Sequence, residues 1–291
     1  MKILVLGSDG QLGKCFKDQF KYFKANIYYA TKAEINIADF HSTKLKIHQI
    51  QPDVIINAAA YTKVDDAESD KELANLINHL AVENIAKICH NIKSWLIHIS
   101  TDYVFDGDHK DPYTEKDVTN PMSIYGHTKL EGEKAIKRSN CQYILIRTAW
   151  VFSEHGNNFL KTILKLGLKN NQLSIVGDQF GCPTYAQDIA KCIKGFIKKI
   201  ELEKLNSGLY HFSGDLACSW AEFSEHIFRE AFNLGIINYL PKVVHVTTDE
   251  FPTKAKRPKN SVLNSNKIKD FLKIDSSNCI NGIKSTLQKI N

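Results

Sequence analysis

Tyr125 and Lys129 stand four residues apart in Ile124-Tyr125-Gly126-His127-Thr128-Lys129, and on a helix that spacing sets a phenol and an ammonium on one face. A free phenol titrates at about pKa 10 and is a reluctant proton donor at neutral pH. A neighbouring cation stabilises the phenolate and moves the tyrosine toward use as a general acid. Such a pair arises by chance in many helices, so its meaning rests on its surroundings. Two features give it weight. Gly7-Ser8-Asp9-Gly10-Gln11-Leu12-Gly13 follows the first apolar run with glycines spaced G-x-x-G-x-x-G, and Ser100-Thr101-Asp102 follows another apolar run.

The elements that must hold these groups alternate in type. Apolar runs at Ile3–Leu6, Ile27–Ala30, Val54–Ala58, Trp95–Ile99 and Tyr143–Arg147 read as buried strands, separated by amphipathic helical stretches near 11–24, 41–50, 71–91 and 122–138. That order predicts an α/β fold, a Rossmann-type doubly wound parallel sheet. Past residue 150 the alternation loosens into helices at 157–170, 186–200 and 219–234 and short strands near Leu173–Val176 and Tyr210–Ser213. The chain therefore divides into a dinucleotide-binding region, 1–150, and a smaller mixed substrate-binding lobe, 151–291, with no low-complexity linker between them and the lobe interleaved with the first region.

A glycine turn between a buried strand and a helix suits a pyrophosphate: Gly7, Gly10 and Gly13 permit a tight turn and close backbone approach, and the helix start at Gln11 and Leu12 offers unpaired N–H groups. At the second strand tip the sequence Ala30-Thr31-Lys32 carries no carboxylate for a ribose 2′-hydroxyl. Lys32 suits a 2′-phosphate instead, which favours NADPH, while nearby Glu34 leaves NADH possible. Asp39 and Phe40 are candidates for the adenine. Ala58, Ala59, Ala60 and Thr62 end the third strand with small residues along which a dinucleotide can lie.

The net charge of +6 over 291 residues is modest, and the lysines are not interleaved with aromatics, so a nucleic-acid footprint is not expected. No apolar stretch approaches the ~20 residues that span a bilayer. Met1–Gly7 reads as a first strand and not as a leader, and an odd cysteine count of seven without a C-x-x-C pair suits a reducing compartment. A cytoplasmic protein with no metal cluster is expected, its cysteines acting as small apolar residues.

The glycine turn, Asn57-Ala58-Ala59-Ala60, Ser100-Thr101-Asp102-Tyr103-Val104-Phe105-Asp106-Gly107 and Tyr125-x-x-x-Lys129 together resemble the extended short-chain dehydrogenase/reductases. The resemblance covers nearly the whole chain. Within the family, Arg147-Thr148-Ala149-Trp150-Val151-Phe152, Gly156-Asn157-Asn158-Phe159, Asp178–Thr184 and Lys256–Ser261 are similar to its dTDP-deoxysugar reductases and set the chain apart from broader sugar-nucleotide epimerases. The resemblance implies an oxidoreductase that uses NADPH to reduce the C4 ketone of a dTDP-4-dehydro-6-deoxy-L-sugar, in dTDP-rhamnose and polysaccharide biosynthesis. It assigns the proton to Tyr125, the nicotinamide ribose and the phenol pKa to Lys129, and the substrate oxygen to Thr101. Alternation along the strand lets only one of Ser100 and Thr101 face the ketone. Asp102 and Tyr103 would line the sugar pocket, with Trp150 walling the deoxysugar or serving as a core aromatic. Arg257, whose fork can hold two phosphate oxygens, is the candidate for the substrate diphosphate. Phe180 and Thr184 are expected beside the nucleotide.

Some members of the family bind magnesium through glutamates at a dimer interface. Cys15 and Gln187 hold the matching positions here, and a thiol and an amide are poor ligands for a hard cation. Neither magnesium nor a magnesium-bridged dimer is therefore expected, and the sequence leaves the oligomeric state open. Two alternatives stand beside the leading one: a non-catalytic NADP-binding regulatory relative, and a reductase of another nucleotide-linked 4-ketosugar.

Overall fold

Strands buried on both faces read as unbroken apolar runs, and here they form one parallel sheet between helices. The structure, a computed structural model, describes residues 1–203 and 205–290. In the first half, β1 (Lys2–Leu6), α1 (Gln11–Phe20), β2 (Asn26–Ala30), α2 (Phe40–Ile50), β3 (Val54–Asn57), α3 (Lys71–Asn75), α4 (Ala81–Ile92), β4 (Trp95–Thr101), α5 (Ile124–Arg138) and β5 (Gln142–Thr148) follow in order. Side chains alternate between two cores: Ile3 and Val5 join one, Leu4 and Leu6 the other. The helix predicted over 71–91 is interrupted by a π turn at Leu76–Leu80. Within that turn Asn78 grips the backbone of Tyr61 in both directions, at 2.9 and 3.0 Å, and donates to Thr128 Oγ1 at 3.3 Å, tying the loop after β3 to α5.

The second half contains β6 (Val151–Phe152), α6 (Phe159–Gly167), β7 (Gln172–Val176), β8 (Phe180–Gly181), β9 (Thr184–Tyr185), α7 (Ala186–Glu201), β10 (Gly208–His211), β11 (Cys218–Ser219), α8 (Trp220–Asn233), β12 (Lys242–Val246), α9 (Asn266–Leu272) and α10 (Cys279–Ile290). Its own core gathers Phe152, Leu160, Phe223, Phe228 and Ile283. Two of its elements return to the first sheet. Helix α7 packs on α1, and β10 pairs with β5, giving the order β10-β5-β4-β3-β1-β2, parallel throughout. The order reverses between β1 and β3, and the crevice at such a reversal is where ligands of open α/β sheets bind.

Beneath that crevice lies a buried charge network. Glu133 of α5 receives two bonds from Arg147 of β5, at 2.9 and 2.7 Å, and a third from Ser100 Oγ at 2.5 Å. Arg147 also reaches His211 Nε2 at 3.5 Å and lies over the Phe105 ring at 5.0 Å. The network links β4, α5, β5 and β10 through directional bonds that no shifted register would satisfy.

Candidate active site

One cavity of about 850 Å³ opens at the crevice, and Thr101, Asp102, Tyr103, Tyr125, Lys129, Trp150 and Arg257 all line it. Strand β4 runs two residues beyond its predicted end and carries Ser100 and Thr101 on opposite sides. Ser100 turns to Glu133, so Thr101 is the hydroxyl left on the cavity side. Its Oγ1 donates to Asp102 Oδ1 at 3.0 Å and accepts from the Tyr103 N–H at 3.2 Å. Ser123 starts α5 by accepting from the Gly126 N–H at 3.2 Å, which puts Tyr125 in the first turn and Lys129 one turn later. Tyr125 lines the cavity beside Thr101, whose hydroxyl favours the phenolate, and its ring meets that of Tyr103 edge-on, centroids 6.0 Å apart.

The electrostatics differ from the expectation that Lys129 lowers the phenol pKa. Burial pushes Tyr125 up to about 12, with Asp102 adding to the rise and the Thr101 hydroxyl opposing it. The Lys129 ammonium donates instead to the Ile99 carbonyl at 2.6 Å. Desolvation brings Lys129 down to about 8, against an upward pull from Glu133. Burial likewise raises Asp102 to about 7, opposed by hydrogen bonding, and its Oδ2 has no hydrogen-bond partner among the described residues. Tyr125 therefore keeps its proton at neutral pH, the state a donor requires.

The glycine turn lies across the crevice. Gly7 has φ 74°, and a β-carbon there would come within 2.8 Å of Ala59 N; one at Gly13 would run into the Gly7–Ser8 backbone. Gly10 precedes α1 without a side-chain cap, so the first-turn N–H groups remain available to an anion. Gly10, Gln11, Leu12, Ala58, Ala59, Ala60 and Thr62 line the cavity. Gly7, Gly13, Lys32, Asp39 and Phe40 do not. The two glycines shape the turn from behind. Asp39 caps α2 by accepting from the Ser42 N–H at 3.0 Å, and Phe40 is half-exposed at the start of that helix. Glu34 folds back onto the Thr31 N–H and hydroxyl, each at 2.8 Å, so its carboxylate stands at the second strand tip after all.

Toward the lobe, Trp150 stacks on Trp220 with centroids 3.4 Å apart and planes 4° from parallel. Its backbone is left-handed, φ 48°, a strained choice for a large residue, held by packing of the indole against Gly181. Trp150 is thus both cavity wall and core aromatic. Arg257 donates Nη2 to Asp65 Oδ2 at 2.6 Å, while its buried Nη1 meets no hydrogen-bond partner among the described residues. Phe180 and Thr184 do not line the cavity: Phe180 is partly exposed elsewhere, and the Thr184 hydroxyl is engaged with the Cys182 carbonyl and the Gly214 N–H. Sequence reasoning missed Asp65, Trp220 and Phe251, which reach the site only through tertiary contact, whereas Asn157, Asn158 and Gln179, quoted within motifs, had a local signal.

At the positions weighed for magnesium, Cys15 is buried and its thiol is pushed up to about 12. Gln187 donates to Asp18 at 2.7 Å and to Glu154 at 2.8 Å. Asp18, Glu154 and His155 cluster beside them, but Lys289 already places an ammonium 2.6 Å from Glu154 and His155 lies 2.7 Å from Asp18. An amide, a protonated thiol and a lysine-paired carboxylate do not make an oxygen cage for a hard cation.

Residues 1–291 match the RmlD substrate binding domain family. The dTDP-4-dehydrorhamnose reductase of Escherichia coli K12 is 37% identical over all of this chain and 98% of its own length. Two solved structures superpose with TM-scores of 0.89 over 99% of both chains: a dTDP-4-dehydrorhamnose reductase from Clostridium acetobutylicum, 37% identical, and one from Bacillus anthracis in complex with NADP, 33% identical. With the whole chain matched and relatives at this identity covering its full length, the protein belongs to the RmlD substrate binding domain family.

Proposed function

We propose that the protein is an NADPH-dependent oxidoreductase that reduces the C4 ketone of dTDP-4-dehydro-β-L-rhamnose to dTDP-L-rhamnose. The observation that carries this reading is the convergence of Thr101, Tyr125 and Lys129 on the same cavity that the glycine turn lines. When bound, the cofactor supplies hydride. Gly10, Gln11, Leu12, Ala58, Ala59, Ala60 and Thr62 would hold it, on a turn that Gly7 and Gly13 keep tight, and the uncapped start of α1 suits its pyrophosphate. Lys32 at the second strand tip favours NADPH over NADH, and Phe40 offers the adenine an apolar face; Asp39, engaged as a cap, contributes there only through position.

Thr101 holds the ketone oxygen, and Tyr125 gives it a proton as the alkoxide develops. Lys129 keeps one hydrogen on Ile99 and turns its charge toward the ribose and the phenol. Asp102 and Tyr103 set the sugar, Trp150 walls it, and Arg257 meets the diphosphate with the Nη1 that Asp65 leaves free. Magnesium has no part in this reading, and neither do nucleic acid or a membrane; among the described residues no helix is long and apolar enough to cross one. Catalysis takes place in the cytoplasm, with residues 1–150 as the cofactor region and 151–291 as the substrate lobe, and Thr101, Asp102, Tyr103 and Trp150 reach the sugar from the first region.

The test is loss of reduced-nicotinamide absorbance with the 4-ketosugar generated in place by the upstream dehydratase and epimerase, and product identified by chromatography. Formation of dTDP-L-rhamnose is expected. Tight NADPH binding without turnover would overturn the reading in favour of a regulatory protein, and turnover only with a different 4-ketosugar would reassign the substrate.

A further inference from the structure

Behind the catalytic lysine, at the end of β3 and in the middle of β4, lie two fully buried polar side chains, Asn57 and His98. The Ala59 N–H meets Asn57 Oδ1 at 3.2 Å. A backbone N–H can only donate, so this contact fixes which end of the amide is oxygen. The other end, Nδ2, then faces His98 Nδ1 at 3.2 Å and donates to it. A neutral imidazole with an acceptor at Nδ1 carries its proton on Nε2. That nitrogen lies 3.5 Å from Lys129 Nζ. A ring N–H and an ammonium therefore confront each other, donor against donor.

We propose that His98, locked as its Nε2–H tautomer by Asn57, is a positioning residue that denies Lys129 a second internal acceptor beside the Ile99 carbonyl and so directs the free ammonium hydrogens into the cavity. The inference rests on the catalytic reading of Lys129 given above. Among the described residues only the Ile99 carbonyl accepts from Lys129. The remaining groups around it are Tyr125 and Glu133 on its own helix and His98 on β4. Desolvation holds the His98 ring well below its ordinary pKa, so it faces the lysine neutral.

The molecule contains its own contrast. His211, equally buried, places Nδ1 3.0 Å from the Tyr113 carbonyl and Nε2 3.5 Å from Arg147. A carbonyl can only accept, so His211 carries its proton on Nδ1 and receives the guanidinium at Nε2. Two buried histidines beside two buried cations thus hold opposite tautomers. The arginine with a structural task is bonded by its histidine, and the lysine proposed to serve a ligand is turned away by its own.

Long-range nitrogen–proton correlation spectra of the full-length protein labelled at histidine nitrogens, at neutral pH and without cofactor, read both tautomers directly. The His98 signals are assigned by their loss in His98→Gln. His98 should show a protonated Nε2 and a bare Nδ1, with His211 the reverse; a protonated Nδ1 on His98, or a doubly protonated ring, overturns the inference. Asn57→Asp then presents only acceptors to Nδ1 and should switch the ring to its Nδ1–H tautomer. With Nε2 now accepting from Lys129, the basic limb of kcat/KM should move up by about one pH unit, and kcat at neutral pH should fall about tenfold with the sugar KM little changed. A switched tautomer with an unmoved basic limb would reduce His98 to packing and overturn the proposal. The two readings fail separately: turnover of a different ketosugar with the Nε2–H signature intact overturns only the substrate, and the wrong tautomer in an active enzyme overturns only this inference.

Discussion

The cofactor side of the crevice and the substrate side are built in different ways. On the cofactor side the working groups are backbone: a glycine turn that runs directly into an uncapped helix start, and a strand end of three alanines, each a short continuous stretch of sequence. On the substrate side they are side chains brought together over long spans, such as Asp65 with Arg257 and Trp150 with Trp220. A phosphate common to every dinucleotide can be held by backbone amides that any sequence possesses. A particular sugar needs particular side chains, and those are recruited from wherever the fold delivers them.

The largest expected effect lies where the two sides meet. Tyr125→Phe should lower turnover by about 10²–10⁴-fold while changing NADPH affinity little, measured by steady-state rates beside fluorescence titration of the cofactor; equal turnover would remove the phenol from proton transfer. Next comes a break on the substrate side alone. Arg257→Ala should raise the KM for the nucleotide sugar about 10–100-fold, the worth of a charge-assisted bond pair, with cofactor binding unmoved. A matching loss for a substrate lacking the diphosphate would place Arg257 elsewhere.

A smaller effect concerns charge. Asp102 ionises at about 7 and Lys129 loses its proton at about 8. Ionised Asp102 makes the phenol a weaker acid, and neutral Lys129 no longer offers a cation. Reductive kcat/KM should therefore decline with rising pH in two steps, and Asp102→Asn should erase the lower one; an unchanged profile in that variant would detach Asp102 from the phenol. On the cofactor side, Gly7→Ala should cost about 1–3 kcal/mol of folding stability through a left-handed backbone pressed on Ala59, read by urea denaturation. Smallest of all, Lys32→Ala should weaken NADPH up to about fivefold more than NADH; an equal effect on both would take Lys32 out of the cofactor site.

Legibility followed the same division. Strands such as Val54–Asn57 and Trp95–Thr101 were plain because burial on both faces leaves an apolar run, and the glycine turn was plain because φ 74° at Gly7 needs that residue. Strand β12, half-exposed and paired only to β7, has no such run, and the two-residue strands are too short for any periodicity. The pairing of Tyr125 with Lys129 came from spacing, and the roles expected of both and of Thr101 came from the family resemblance. Their pKa values did not, because desolvation depends on what the lobe covers and outweighs the nearest charge. Asp39 was misread for a related reason: a carboxylate before a helix is more readily a cap than a ligand.

Pairing of β5 with β10 has a consequence for synthesis. A ribosome completes β5 with Thr148 roughly sixty residues, or several seconds, before β10 emerges, and helix α7, which covers the face above α1, arrives only shortly before that strand. Until then the nascent chain presents a bare strand edge of the kind that recruits other chains, beside an Arg147–Glu133 pair still missing His211. The early half is thus most adhesive while it waits for its last strand, and a transcript truncated near residue 150 should yield aggregate and chaperone client, never a free-standing cofactor domain.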